Sequence, residues 1–180
     1  ICITPTNLSS TNITSTTADL SWDALSALTV IDPGNEDTII GYDYVLITDG
    51  STPDENTSPT ASIPASPTSV NLTNLSPNTA YDFYVRSNCD SSNYSDWSVL
   101  ESFTTICPPN DSGAVFNADG CLECDNYNVG DQFELNGECY TVVDRTMLDT
   151  MIANDDDVTK VCTSKVTDMS NLFQNKKGVN

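Results

Sequence analysis

Seven cysteines are the residues of this chain with the most distinctive chemistry, and they could form disulfides, bind zinc or act as redox thiols. Cys121 and Cys124 are spaced as Cys-x-x-Cys, and with Cys139 and Cys162 they could supply four zinc thiolates. The later spacings are irregular and no histidine accompanies them, so disulfides are the favoured interpretation. Cys139 and Cys162 are one candidate pair, and an odd number of cysteines leaves at least one unpaired within the chain.

Catalytic chemistry has little support in this sequence. The chain has no histidine, which excludes triads and imidazole bases within these residues. Carboxylates are abundant, but they lie in turn-rich stretches with Ser, Asn and Gly, where solvated loops are the simpler interpretation. A glycosidase needs two carboxylates held across a cleft. We therefore predict a chain that is not an enzyme.

Calcium is the cofactor that the acidic loops could hold. Carboxylate, amide and carbonyl oxygens are its preferred ligands. Asp32 and Asp37 lie in one acidic loop, and Asp155 and Asp157 lie in another. No stretch has the spacing of an EF-hand, so these four residues are calcium candidates only, and no other cofactor is expected.

Charge limits the class of partner. Asp and Glu number 26 against 6 Lys and Arg, for a formal net charge of -20. Such a chain repels polyanions, which excludes nucleic acid and disfavours anionic membranes. No stretch reaches the ~20 apolar residues of a membrane span. The surface is rich in Asn, Ser, Thr and Asp and poor in Lys, which is typical of extracellular proteins, and we expect a protein or glycan partner at a cell surface.

The elements that must position these residues are mostly β-strands. Short runs of alternating apolar residues are separated by Pro, Gly, Asn and Asp clusters up to residue 105, as in an antiparallel sandwich of about seven strands. In one run, Tyr42 and Tyr44 alternate with Asp43 and Val45, so both faces of that strand can be covered. The runs are 6–13, 18–22, 41–48, 61–63, 69–72, 80–88 and 99–104.

Residues 4–105 resemble a fibronectin type III domain. The resemblance lies in Leu20-Ser-Trp22, in Leu72-Thr-Asn-Leu75-Ser-Pro-Asn-Thr-Ala-Tyr81-Asp-Phe-Tyr-Val85-Arg86, and in the later Tyr94-Ser-Asp-Trp97-Ser and Phe103-Thr-Thr105. It implies an immunoglobulin-like β-sandwich over residues 1–105.

The resemblance also implies roles for individual residues. Tyr81 would form a corner, with its hydroxyl returning to the backbone upstream and its ring beside Leu75. Trp22 and Val85 would complete the core. In this topology the first strand starts at the pole where the sixth strand ends, which implies a disulfide between Cys2 and Cys89.

The rest of the chain is expected to form a smaller α+β module. Residues 106–130 carry Gly, Asn and Cys without a periodic run and are interpreted as a linker. In residues 131–180, Asn136-Gly137 predicts a hairpin between two apolar runs, and Asp144 can cap a short helix over 145–153.

The segment 140–173 resembles the start of a repeat in BspA-type leucine-rich-repeat surface proteins of Bacteroidetes. Val166-Thr-Asp-Met-Ser followed by Leu172-Phe173 carries the resemblance. In such proteins the repeats stack and give extended contact surfaces. The resemblance implies that the array is truncated here.

Two functional hypotheses follow. The first is a non-catalytic extracellular segment of a tandem-domain surface protein, acting in adhesion, in protein or glycan contact, or as a stalk. The similarity between Ile1-Cys2 and Ile106-Cys107-Pro108 favours an array with neighbouring domains in the same chain. The alternative is a spacer domain of a secreted hydrolase whose catalytic domain lies elsewhere.

Overall fold

A computed structural model describes residues 2–24, 39–90, 93–172 and 174 of the chain. The chain divides into two compact units, Ile1–Ile106 and Cys107–Asn180. Within the described residues, no helix is both long enough and apolar enough to span a bilayer. Every regular element described in the first unit is a β-strand, and the second unit combines short strands with one described helix.

The first unit is a sandwich of two antiparallel sheets. Its strands are β1 Ser9–Thr11, β2 Ala18–Ser21, β3 Gly41–Ile47, β4 Ala61–Pro64, β5 Ser69–Leu72, β6 Ala80–Asp90, β7 Asn93–Tyr94 and β8 Glu101–Thr104. In the described part, one sheet has the order β1-β2-β5, and the other has the order β4-β3-β6 with β7 and β8 both paired to β6. This confirms the predicted mainly β sandwich.

Period-two alternation places the apolar residues between the sheets. Leu20 from β2, Tyr44 from β3 and Phe83 from β6 belong to one buried cluster. Tyr42 and Phe83 approach Trp22 with ring centroids 5.2 and 6.1 Å away. Strand β3 is covered on both faces, as its sequence pattern predicts, because Asp43 and Val45 are also buried.

The residues expected to form the core all lie there. Trp22, Tyr81 and Val85 are buried in the cluster, and Leu75 packs against it half-buried. The Tyr81 hydroxyl accepts a hydrogen bond from the backbone N–H of Ser76 at 2.9 Å, which fixes the turn before β6. The turn and the core are therefore coupled through one tyrosine.

Gly41 is required by the close approach of two strands. A Cβ at this position would lie 2.6 Å from the backbone oxygen of Ile63 in β4. Because backbone cannot move aside as a flexible side chain can, a larger residue here would push β4 away from β3.

The second unit contains two small sheets and a helix. Its elements are β9 Val115–Phe116, β10 Leu122–Glu123, β11 Gln132–Leu135, β12 Glu138–Val142, α1 Arg145–Ala153 and β13 Val161–Cys162. In the described part, β9 pairs with β10, and β11-β12-β13 form the other sheet, with β13 parallel to β12.

The predicted hairpin and helix are both present. Asn136 and Gly137 have φ values of 55° and 83°, the positive pair that a tight turn between β11 and β12 needs. The carboxylate of Asp144 accepts from the Met147 N–H at 2.8 Å and caps α1. Leu148 and Ile152, one helical turn apart, are buried on the same face of this helix.

Residues 106–130 are not the linker that their irregular sequence predicts, since Ile106 belongs to the first unit and the rest to the second. Ala114, Cys124 and Tyr127 are buried in the same cluster as Phe133 of β11. Asn110 organises the segment, since its Oδ1 accepts from Ala114 N and from the Tyr127 hydroxyl, both at 2.8 Å. The segment's only described regular elements are the two-residue strands β9 and β10, and it is otherwise ordered by side-chain hydrogen bonds and disulfides, which leave no periodic pattern.

The C-terminal segment packs onto the helix in part. Val166 and Leu172 are half-buried against the cluster around Leu148, whereas Met169 is 48% exposed. Phe173, the other apolar residue of the repeat-like motif, lies outside the described residues.

Candidate functional site

The structure pairs six of the seven cysteines, all of which lie in its described part. Cys2 and Cys89 are bridged, with their Cα atoms 5.8 Å apart. The expected pair of Cys139 with Cys162 is wrong, because Cys139 bonds to Cys107 and Cys162 bonds to Cys124. The four-thiolate zinc site is excluded by the same two bonds.

The second unit's fold explains the corrected pairing. Cys139 lies at the start of β12, whereas Cys162 lies on β13 opposite the other end of that strand, at the register position of Val142. The segment taken for a linker supplies both partners. Cys121 keeps an exposed free thiol in the turn between β9 and β10.

A buried ion pair with two aromatic rings is the most distinctive cluster on the first unit, and we call it the Arg86 cluster. It consists of Asp43, Ser62, Arg86, Tyr94 and Trp97. Asp43 and Arg86 are register partners on β3 and β6, on the face turned away from the core. Their side chains are 5% and 10% exposed.

Hydrogen bonds satisfy both charges of this pair. The Arg86 Nε and Nη2 atoms donate to one Asp43 oxygen at 3.2 and 3.1 Å. The Ser62 hydroxyl donates to the other Asp43 oxygen at 2.6 Å. Removing either charge would therefore leave its partner buried without compensation.

Two aromatic rings contact the guanidinium of Arg86. Its carbon lies 4.3 Å from the Tyr94 ring centroid and 4.5 Å from that of Trp97. Such cation–π contacts strengthen when water is excluded. The cluster also anchors the loop between β3 and β4, because Trp97 Nε1 donates to the Asp54 carbonyl at 2.8 Å and Arg86 Nη1 to the Glu55 carbonyl at 3.4 Å.

Two serines hold the rings in place beside β6. Ser95 N donates to the Ser87 carbonyl at 3.0 Å, and the Ser95 hydroxyl accepts from Ser87 N at 2.9 Å. Ser98 repeats this arrangement with Val85, at 2.9 and 3.1 Å. Between β7 and β8, these two hydroxyls therefore accept the hydrogen bonds from β6 N–H groups that backbone carbonyls of a paired strand would otherwise accept.

The Arg86 cluster can organise a surface but offers no nucleophile or general base. Asp43 and Arg86 form an ion pair with each other. The hydroxyls of Ser95 and Ser98 donate to neighbouring carbonyls. Apolar groups are exposed from the end of β7 to the start of β8, where Tyr94 is 40%, Val99 77% and Leu100 48% exposed. The arrangement fits a contact surface.

Sequence reasoning missed the ion pair, although signals for it were present. Asp43 interrupts an apolar strand predicted to be covered on both faces, and a covered carboxylate needs a partner. Arg86 is one of only 6 basic residues, and it ends the apolar run of β6.

Two of the four calcium candidates, Asp155 and Asp157, lie among the described residues. Asp32 and Asp37 lie outside the described residues. The Asp157 carboxylate accepts from the Thr159 hydroxyl at 2.6 Å and from Thr159 N at 2.8 Å, and these bonds lower the pKa of Asp157. Asp155 sits in a turn with φ 60°. Among the described residues, no three His, Cys, Asp or Glu side chains are grouped so that they could hold a metal ion.

Comparison with known proteins identifies the sandwich. The profile of the fibronectin type III domain matches residues 4–101. A search of curated protein sequences gives no significant match.

Solved structures resemble the first unit. A β-sandwich protein redesigned by computer is 30% identical, with 59% of this chain and 97% of that chain covered and a TM-score of 0.43. The FN1–FN3 domains of chicken CNTN1 are 21% identical, with 59% and 33% covered and a TM-score of 0.46. A two-domain fibronectin type III segment of chicken tenascin is 18% identical, with 57% and 49% covered and a TM-score of 0.42.

Proposed function

Because this chain belongs to the fibronectin type III family through residues 4–101, we propose that it is a non-catalytic extracellular segment of a surface protein, which spaces and presents neighbouring parts of that protein. The observation that carries the proposal is the placement of the two ends of the sandwich. The chain enters at one pole of β6 and leaves at the other.

The separation of these ends follows from β6. Cys2 is bonded to Cys89, near the last residue of the strand. Thr105 N donates to the Thr79 carbonyl at 3.0 Å, just before the first residue of the strand. At about 3.3 Å per residue, the 11 residues of β6 separate entrance and exit by roughly 33 Å. A domain with this geometry extends a chain of domains instead of folding it back.

An extracellular location is supported by the disulfides. Bridges of this kind persist in oxidising compartments and are reduced in the cytosol. The second unit has two of them within a small core, and small secreted domains commonly depend on such bonds.

The contact role rests on the edge beside the Arg86 cluster. Tyr94, Val99 and Leu100 present apolar surface there on an otherwise acidic protein. Aromatic groups are enriched in protein interfaces, and a protein or glycan at the cell surface is the partner class that we propose.

We further propose that the C-terminal region begins a leucine-rich repeat of the BspA type, in a Bacteroidetes surface protein. The support is the parallel crossover from β12 through α1 to β13, since a strand and a helix in alternation are the unit of such arrays. Arg145 reinforces it by donating to the carbonyls of Asp168 and Ser170 in the repeat-like motif.

Surface display can be tested on the source cells. An antibody raised against the 180-residue chain should label intact cells as strongly as permeabilised ones, and mild surface proteolysis should remove the label. Labelling only after permeabilisation would refute the proposal. Recovery of the antigen in the medium, copurifying with a hydrolase activity, would instead establish the spacer of a secreted hydrolase.

A further inference from the structure

We propose that the disulfides make this chain a tether of nearly fixed length, in which tension bypasses the sandwich core. The inference concerns a mechanical property of the covalent path and does not depend on where the protein is displayed or what it binds. It rests on where each unit places its first cysteine.

In the first unit, tension enters through a covalent shortcut. Cys2 lies at the start of the chain and is bonded to Cys89, with a sequence separation of 87. A force applied before Cys2 therefore passes directly to the end of β6. Residues 3–88, which contain β1 to β5 and most of β6, lie inside the closed loop and cannot be extended.

The chain from Asn93 to Ile106 already lies along β6. It pairs through β7, through the serine bonds at Ser95 and Ser98, and through β8, where Ala80 is the register partner of Thr104. Beyond β8, Asn78 N donates to the Ile106 carbonyl at 3.4 Å. The segment is thus held at both ends of β6 and along its length.

Pulling this segment away from β6 extends the unit only slightly. Fully extended, the segment from Cys89 to Ile106 spans at most about 60 Å, and it already covers roughly 33 Å in the fold. Its complete detachment lengthens the unit by only about 3 nm. Without the Cys2–Cys89 bond, unfolding would release about 30 nm more.

The second unit repeats the device. Cys107 is its first residue and is bonded to Cys139 on β12, with a sequence separation of 32. The Cys124–Cys162 bond attaches β13 to the loop that the first bond closes, so tension reaches Cys162 through Cys124 and leaves residues 140–161 unloaded. Each unit is therefore entered through a cysteine that is bonded into the body of that same unit.

Single-molecule stretching of the full chain between marker domains tests this inference. The total contour length is read after the last marker has unfolded, so the result does not depend on whether a variant folds. We expect Cys2→Ser with Cys89→Ser to increase the total length by about 30 nm over the oxidised parent. An oxidised parent as long as this double variant would overturn the proposal.

Two matched controls separate tension bypass from a general effect of cysteine removal. Cys121→Ser should leave the length unchanged, because its thiol is free. Cys107→Ser with Cys139→Ser should change the length by less than about 1 nm, since the route from Cys107 along the chain to Cys124 and through the second bond to Cys162 is nearly as short as the route that uses both bonds. An increase near 10 nm in that control would contradict the force path through Cys124.

Discussion

Arg86 and Asp43 face each other across β6 and β3, and two guanidinium nitrogens donate to a single carboxylate oxygen at 3.2 and 3.1 Å. Both side chains are almost fully removed from solvent. A buried pair of this kind contributes little over an apolar pair, but loss of one member is costly because the other charge stays buried. The pair therefore constrains which substitutions this sheet tolerates.

Arg86→Leu should destabilise the sandwich by about 3 to 5 kcal/mol, since it leaves Asp43 uncompensated. Adding Asp43→Leu should recover part of that loss. The measurement is the free energy of unfolding from urea titration followed by Trp fluorescence. Lys160→Met breaks the half-exposed pair with Glu138 in the other unit and is the control. That unit has no Trp, so its stability is read from amide exchange in β12, and the substitution should cost less than about 1 kcal/mol. A double variant no more stable than Arg86→Leu would contradict the coupling.

Tyr81→Phe should cost about 1 to 2 kcal/mol, because Ser76 N loses its acceptor while the ring still fills the core. Tyr94→Phe is the matched control. It keeps the ring over Arg86 and should change the unfolding free energy by less than about 0.5 kcal/mol. Equal effects of the two substitutions would show that the Tyr81 hydroxyl does not anchor the turn.

Cys124→Ser with Cys162→Ser should destabilise the second unit by about 3 to 4 kcal/mol on the chain-entropy account of a loop with a sequence separation of 38. Amide exchange in β11 and β12 is the appropriate measurement, since it reports this unit separately. Cys121→Ser serves as control and should leave exchange unchanged. Peptide mapping without reduction should recover Cys124 joined to Cys162, and recovery of Cys139 joined to Cys162 would contradict the structure.

Asp19 should titrate below the ordinary range for an aspartate. Side-chain hydrogen bonds from Asn12 and then Asn71, at 2.8 and 2.5 Å, lower its pKa. Because the folded pKa lies below the unfolded value, the stabilising contribution is complete above the unfolded pKa and is lost as pH falls through the folded one. Carboxyl NMR titration measures the value directly.

The matched variants for that titration are Asn71→Ala and Asn74→Ala. Asn71→Ala should raise the pKa of Asp19 towards its ordinary value, because one donor is gone. The Asn74 amide bonds to Thr73 instead, so Asn74→Ala should have no effect on Asp19. A pKa of Asp19 that is the same in both variants would rule out the Asn71 contribution.

A chain ending at Ile106 should fold alone. The core of the first unit is built from residues up to Phe103, and Ile106 makes the last hydrogen bonds, to Asn78 and Thr14. We expect one cooperative transition with the same midpoint as the sandwich in the full chain. A non-cooperative transition of the truncated chain would place the domain boundary later.

Local signals predicted most strands of the sandwich, and the hairpin and helix of the second unit, but not the two-residue strands β7, β9, β10 and β13. The alternation of apolar and polar residues predicted which faces of β2, β3 and β6 are buried. The pair Asn136-Gly137 predicted the hairpin, because few other residues accept positive φ. Asp144 located the helix start for an equally local reason. In each case the determining interaction joins residues close in sequence.

Local sequence signals did not predict the side-chain interactions between residues that lie far apart in the sequence. The cysteine pairing of the second unit depends on which strands become neighbours, and β13 lies beside β12 only because α1 crosses between them. The conformation of residues 107–130 depends on the hydrogen bond between Asn110 and Tyr127 and on two disulfides. These contacts produce no periodic pattern in the sequence. The Arg86 cluster likewise joins residues more than forty apart.

The serine bonds beside β6 have a consequence for solubility. Ser95 and Ser98 satisfy the N–H groups of Ser87 and Val85 with hydroxyls, so the chain between β7 and β8 need not run as a regular strand. It therefore presents no continuous outward row of N–H and C=O groups to another molecule. Exposed sheet edges are where strands of separate molecules add to each other and aggregate. On this margin of the sheet, side-chain acceptors therefore disfavour the edge-to-edge association of two copies of the chain.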